Sequence, residues 1–109
     1  MLDRFPVPSL ARRCWRPAAD VYRTIDGWLV KVELAGVRPE DLRVEFAGRR
    51  LVVSGQRRDV VVEVGCSCQS LEISYDSFER WFDFPTDLAT QTVDVQFQQG
   101  MLLIRLRTA

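Results

Sequence analysis

The sequence has 109 residues, 47% of them hydrophobic, which is enough for one globular domain with a single core. Its 15 basic and 15 acidic residues balance, so the overall charge gives no reason to expect nucleic acid or an anionic membrane as a partner. No apolar run has the length of a membrane span, and the N-terminus lacks the apolar stretch of a secretory signal, so we expect a cytoplasmic protein.

The N-terminal residues are rich in proline and arginine, which predicts a short flexible arm over 1–17. From Ala18 onward, short segments of alternating apolar and polar residues predict one β domain over 18–109. Short strands at regular spacing are typical of an antiparallel β-sandwich or barrel. The predicted strands cover 27–34, 42–46, 50–57, 93–97 and 101–107.

Two turns are predicted from residues with special backbone preferences. Gln98, Gln99 and Gly100 separate two apolar runs, and Gly100 tolerates the positive φ of a tight hairpin turn. Pro39 and the two acidic residues after it predict a single helical turn.

A long connection over 58–77 interrupts the regular spacing of the strands. The valines at 60–62, Val64 and the segment 70–74 are rich in residues that favour strands. This pattern favours either a projecting hairpin or an additional edge strand.

The sequence offers little catalytic or metal-binding chemistry. It contains no histidine, which excludes triads and pairs that use an imidazole base, and it has no glycine-rich phosphate loop. Cys14, Cys66 and Cys68 lack the C-x-x-C spacing of zinc sites, so we interpret them as reduced thiols. We expect no enzymatic activity, no metal and no cofactor.

Three stretches together resemble the α-crystallin domain of small heat-shock proteins of the bacterial and plant type. They are "PAADVYRTIDGWLVKVELAGVRPEDLRVEFAGRRLVVSGQRR", "SFERWFDFP" and "VDVQFQQGMLLIRL", in that order along the chain. Ala35 replaces a proline of the family pattern, and Phe84-Pro85 replaces Leu-Pro. The signature residues that carry the resemblance are Leu34, Gly36, Gly55, Phe78, Pro85, Gly100, Met101 and Leu102.

The resemblance implies an immunoglobulin-like antiparallel β-sandwich that acts as an ATP-independent holdase chaperone for partly unfolded client proteins. One alternative is a CS-domain-like co-chaperone, which binds a specific folded chaperone. Another is a non-catalytic protein-interaction module with the same sandwich fold.

The resemblance also implies a homodimer, because the long connection of bacterial and plant members carries a strand that pairs with a neighbouring subunit's edge strand. Covering an open strand edge in this reciprocal way gives a two-fold dimer. Arg80 would lie near this interface and would be paired if buried. Alternatively, Leu71 and Ile73 are core residues and Arg80 lies on the surface. The expected interface residues are Asp20, Val21, Tyr22, Arg23, Cys68, Ser70, Leu71, Glu72 and Arg80.

A second implied feature is a groove between the strands at 42–46 and 93–97. In the family it accepts an isoleucine-x-isoleucine tail, and it is a proposed client site. Alternation by itself indicates only that these residues face inward. The expected groove residues are Leu42, Val44, Phe46, Val93, Val95 and Phe97.

The sequence also departs from the family pattern. The chain ends at "RLRTA" without the tail motif and its N-terminal arm is short, so we expect a dimer rather than a large oligomer. The connection begins with the apolar run "VVVEVGCSC", where relatives are often charged. It either packs within its own chain or forms an exposed apolar surface for clients.

Overall fold

The computed structural model describes residues 15–58 and 63–108. Within these ranges the chain forms seven strands and two short 3₁₀ turns. The strands are β1 (Ala19–Thr24), β2 (Gly27–Glu33), β3 (Leu42–Ala47), β4 (Arg50–Arg57), β5 (Asp76–Asp83), β6 (Gln91–Gln98) and β7 (Met101–Thr108). The first 3₁₀ turn covers Pro39–Asp41 and the second covers Leu88–Thr90.

The strands form two antiparallel sheets. One has the order β1-β2-β7-β6 and the other the order β3-β4-β5. Every pair of neighbours is antiparallel. The all-β sandwich predicted from strand spacing and from the family resemblance is therefore confirmed.

The core lies between the sheets and follows the alternation of the sequence. On β2, Val30 and Val32 are fully buried, and on β7 Leu102, Ile104 and Leu106 are fully buried too. Side chains of β4 and β5 cover them from the other sheet. Burying one such aliphatic side chain stabilises the fold by about 2 kcal/mol. The buried apolar residues are Val30, Val32, Leu34, Val37, Leu51, Val53, Phe78, Phe82, Phe84, Leu88, Leu102, Ile104 and Leu106.

The predicted hairpin turn joins β6 to β7 and is confirmed. Gln98 pairs with Met101, so the loop consists of Gln99 and Gly100 alone. Both residues have positive φ angles, 53° and 75°, which is the arrangement of a type I′ turn. A Cβ on Gly100 would lie 2.9 Å from the Cα of Ala35, so the site also needs glycine for close packing.

Of the two 3₁₀ turns, the sequence predicted only the first, at Pro39–Asp41. The second begins after Asp87, whose side chain accepts a hydrogen bond from the N–H of Ala89 at 2.9 Å. Its Leu88 side chain is buried in the core. Neither turn approaches the length of a helix that could cross a bilayer, and the described residues contain no longer helix.

The connection between β4 and β5 differs from the prediction. Its described residues, 63–75, form no strand within the chain, so the strand predicted at 70–74 is wrong there. β4 and β5 pair directly with each other, and the described residues of the connection add no strand to the open outer edge of β5. The valines at 60–62 lie outside the described residues.

Candidate functional site

The expected groove lies between β3 and β6, which are edge strands of opposite sheets. The second 3₁₀ turn contacts both strands, so they border the same side of the sandwich. Within the described residues, β3 pairs only with β4 and β6 only with β7. The outward backbone groups of both strands are therefore open to a further extended segment.

The apolar side chains of the groove range from partly buried to nearly half exposed. Leu42, Val44, Val93 and Phe97 are partly buried and pack against the core. The prediction that Phe46 faces inward is only partly right, because its side chain is 45% exposed at the edge of its sheet. Val95 on β6 is 47% exposed. Two large apolar groups are thus available to a binding partner.

The second 3₁₀ turn fixes one end of the groove. The N–H of Leu88 donates to the carbonyl of Gly48 in the β3–β4 turn at 2.8 Å. The buried Leu88 side chain anchors the same segment in the core. The turn thereby ties the β3–β4 hairpin to the start of β6.

A cavity of about 860 Å³ opens elsewhere on the sandwich, among residues that include Trp15, Leu42 and Phe78. It shares Leu42 with the groove but includes no residue of β6. Cavity volume therefore does not identify the groove as a binding site. The groove is a candidate because its strand edges are open and its apolar side chains are exposed.

The expected receiving strand of the dimer, β1, lies at an open edge of the four-stranded sheet. Val21 and Tyr22 are nearly half exposed, and Asp20 and Arg23 are exposed. The Lys31 ammonium lies 5.1 Å from the centre of the Tyr22 ring. The edge therefore combines apolar surface with backbone that has no strand partner among residues 15–58 and 63–108.

The other expected interface residues lie on the connection and on β5. Cys68, Ser70, Leu71 and Glu72 are all exposed. Leu71 is 79% exposed and Ile73 63%, so the alternative that they are core residues is wrong. The thiols of Cys66 and Cys68 are free and exposed, and the described residues contain no cluster of three or more candidate metal ligands.

Arg80 is partly buried, so the structure decides neither for a buried interface position nor for a surface position. Its Nη1 donates to the carbonyl of Pro17 at 2.7 Å, and its guanidinium lies 5.3 Å from the Phe82 ring. Burial, followed by the like charge of Arg16, lowers the pKa of Arg80. Within the described ranges, no carboxylate forms an ion pair with it.

Part of the predicted arm contacts the sandwich. The N–H of Trp15 donates to the carbonyl of Ser77 at 3.1 Å, and the Trp15 ring packs edge-on against Phe78 at 5.3 Å. Pro17 is buried. Residues 1–14 lie outside the described ranges, so the extent of a flexible arm stays a prediction.

Packing or backbone conformation explains why several signature positions have the residues they do. A Cβ on Gly55 would lie 2.3 Å from the carbonyl oxygen of Asp41 and 2.9 Å from the Phe78 ring. Gly36 has a φ of 84°. Leu34 and Leu102 are fully buried, whereas Met101 is partly buried and Pro85 exposed.

Sequence reasoning gave no individual role to Arg57, the last residue of β4. Its guanidinium donates to the carbonyls of Ser74 and Ala35 and stacks on Trp15. Arg57 stands inside a quoted motif, but its partners lie in distant loops that no local pattern connects to it.

Comparison with known proteins identifies the family. The model of the "Hsp20/alpha crystallin family" matches residues 20–109. The chain belongs to this family. This Hsp20/alpha crystallin chain is 26% identical over 102 residues to small heat shock protein C2 of Rickettsia felis, covering 94% of the chain and 66% of the relative. It is 31% identical over 90 residues to spore protein SP21 of Stigmatella aurantiaca, covering 83% of this chain and 53% of that relative.

Solved structures agree with the family. Heat shock protein 16.0 of Schizosaccharomyces pombe superposes with a TM-score of 0.78 at 26% identity, covering 87% of this chain and 88% of that one. A small heat-shock protein of Xylella fastidiosa, at 21% identity, has a TM-score of 0.73 and 88% coverage of both chains, which shows the fold. The Hsp20/alpha crystallin chain spans between about half and two thirds of the length of the two curated relatives above.

Proposed function

We propose that this Hsp20/alpha crystallin chain is an ATP-independent holdase, which binds partly unfolded proteins and prevents their aggregation. Family membership supports a chaperone role. The observation that supports client binding is the groove, where Phe46 and Val95 expose large apolar side chains beside two open strand edges.

The physical basis is the match between the groove and an unfolding client. A partly unfolded chain exposes apolar surface, and covering it contributes about 25 cal/mol per Å². An extended client segment can also pair its backbone with β3 or β6, as peptides do when they add a strand to a sheet edge. Neither interaction requires nucleotide hydrolysis, and we propose no catalytic role.

We also propose a homodimer in which the connection of one chain covers β1 of the other. Its support is that β1 is an open edge with exposed Val21 and Tyr22, while Leu71 and Ile73 are exposed on the connection. If the contact buries Arg80 further, its charge would need an acidic partner from the second copy. We further propose a cytoplasmic location, where thiols such as Cys66 remain reduced.

The experiment for the holdase is a light-scattering assay with heat-labile enzymes, warmed with equimolar protein and no ATP. We expect scattering to be delayed and its final value reduced by at least about half, since each client's exposed apolar surface is covered. An inert protein of similar size at the same concentration is the control.

Two other outcomes would contradict the holdase. Unchanged scattering for several unrelated clients would favour a non-catalytic interaction module. Unchanged scattering together with stoichiometric binding to one purified folded chaperone would favour a co-chaperone of the CS-domain type.

A further inference from the structure

Arg57 holds two loops at the end of β4. Its Nε and Nη2 both donate to the carbonyl of Ser74, with the Nε bond at 2.9 Å, and its Nη1 donates to the carbonyl of Ala35 at 3.1 Å. Ala35 follows β2, and Ser74 lies two residues before β5. One guanidinium therefore joins the end of the connection to a loop of the opposite sheet.

The same guanidinium also joins the segment before β1. Its central carbon lies 3.5 Å from the centre of the Trp15 ring and 5.7 Å from the centre of the Tyr75 ring. A planar guanidinium can donate hydrogen bonds in its plane while its face stacks on an aromatic ring. Trp15 and the end of the connection are thus held by one group.

The neighbouring arginine shows that this arrangement is specific to Arg57. Arg58 forms two hydrogen bonds of 3.0 Å with the carboxylate of Asp41, an ordinary ion pair. Arg57 has no carboxylate within ion-pair distance in the described part of the chain, and its hydrogen-bond partners there are backbone carbonyls. It therefore fixes backbone positions, whereas Arg58 pairs with a charge.

Both ends of the connection meet at this point. Arg57 pairs with Asp76 in the β4–β5 register, so the connection leaves and re-enters the sandwich beside the guanidinium. The exposed side chains of Leu71 and Ile73 lie three residues and one residue before Ser74. The positions of these two side chains on the surface therefore depend on how firmly Arg57 binds the carbonyl of Ser74.

We propose that Arg57 is a clamp that couples the segment before β1 to the long connection, so that release of Trp15 loosens the connection. This inference rests on the proposed dimer for its consequence, which is that the N-terminal segment controls how Leu71 and Ile73 are offered to a second copy. The clamp itself lies within one chain.

The test is cleavage of the native protein by a glutamate-specific protease at Glu72. We expect Arg57→Gln to raise the cleavage rate roughly tenfold, because it removes hydrogen bonds from a charged donor. Arg58→Gln is the matched control and should stay within about twofold of wild type, since Arg58 is exposed and hydrogen-bonds to Asp41 rather than to Ser74 or Ala35. Cleavage after Glu45 in β3 and Glu79 in β5 reports global unfolding and should not change.

Arg57→Lys separates charge from geometry. An ammonium group cannot reproduce the planar fork, so cleavage after Glu72 should be nearly as fast as in Arg57→Gln. Faster cleavage of Arg57→Gln after Glu45 and Glu79 would mean that the variant destabilises the whole fold. Arg57→Lys then provides the test of the clamp, because it keeps the charge and changes only the geometry. Wild-type behaviour of Arg57→Lys would overturn the clamp.

Coupling is tested with Trp15→Leu, which keeps an apolar side chain against Phe78 but removes the ring under the guanidinium. It should speed cleavage after Glu72 roughly threefold in the wild-type background and have no further effect in Arg57→Gln, because contacting residues are not additive. No effect of Trp15→Leu, or effects that multiply, would overturn the proposal. Solution mass of the same samples tests the dimer separately, since a monomeric wild type would contradict the dimer and leave the cleavage test intact.

Discussion

At the scale of single residues, the arginines divide into those that pair with carboxylates and those that donate to backbone carbonyls. Asp41 accepts two hydrogen bonds from Arg58, and Asp83 accepts hydrogen bonds from Arg50 at 2.8 Å and 3.2 Å. The hydrogen bond from Arg58, more than its charge, lowers the pKa of Asp41, and Arg50 lowers the pKa of Asp83 in the same way. These pairs make folding stability depend on pH.

The sign of that dependence follows from the lowered pKa values. A carboxyl group whose folded-state pKa lies below its unfolded value, about 3.9 for Asp, stabilises the fold above that pH. The contribution is lost as the pH falls through the folded-state pKa. We expect Asp41→Asn to lower the free energy of unfolding at pH 7, with a difference from wild type that shrinks below about pH 4.

Denaturant unfolding followed by tryptophan fluorescence at pH 7, 5, 4 and 3 measures this difference. Glu40→Gln is the control, because Glu40 is exposed and lies 3.7 Å from Arg38 in a loose ion pair. Its unfolding free energy should follow that of wild type at every pH. A deficit in Asp41→Asn that stays constant down to pH 3 would refute the assigned role of the pair.

At the scale of elements, the strands and the β6–β7 turn could be predicted from the sequence because they depend on local patterns of residues. Alternation along β2 and β7 fixes which side chains enter the core, and Gly100 supplies a turn that few residues tolerate. The connection was mispredicted because residues 70–74 have the composition of a strand, and composition alone does not show whether a strand pairs with a neighbour; in the described residues this segment pairs with none. The partners of Arg57 were missed for a related reason, since they lie 17 and 22 residues away.

The prediction about assembly concerns the exposed connection between β4 and β5. If it covers β1 of a second copy, Leu71→Asp places a charge in that contact and should shift the solution mass from twice the 12.6 kDa of one chain to a single chain. Val64→Asp is the matched control, because Val64 is fully exposed at a turn of the same connection. Light scattering coupled to size exclusion gives both masses. A dimeric Leu71→Asp, or a Val64→Asp that dissociates equally, would rule out the proposed contact.

At the scale of the whole molecule, the sandwich leaves its outer strands open to other polypeptides. One core serves both sheets, while β1, β3, β5 and β6 each have one side without a strand partner in the described residues. An open edge is an aggregation hazard that soluble proteins usually cover or shield. Here the edges of β3 and β6 lie beside the exposed Phe46 and Val95, which supports the proposed holdase.

The most direct test of this account compares Val95→Asp with Gln96→Asp in the light-scattering assay with heat-labile clients. The two residues are adjacent on β6, but Val95 lies on the groove side and Gln96 is exposed on the other face. We expect Val95→Asp to lose at least about half of the protection, because a charge in an apolar contact must be desolvated, and Gln96→Asp to protect like wild type. Equal protection by both variants, with unfolding midpoints unchanged, would contradict client binding in the groove.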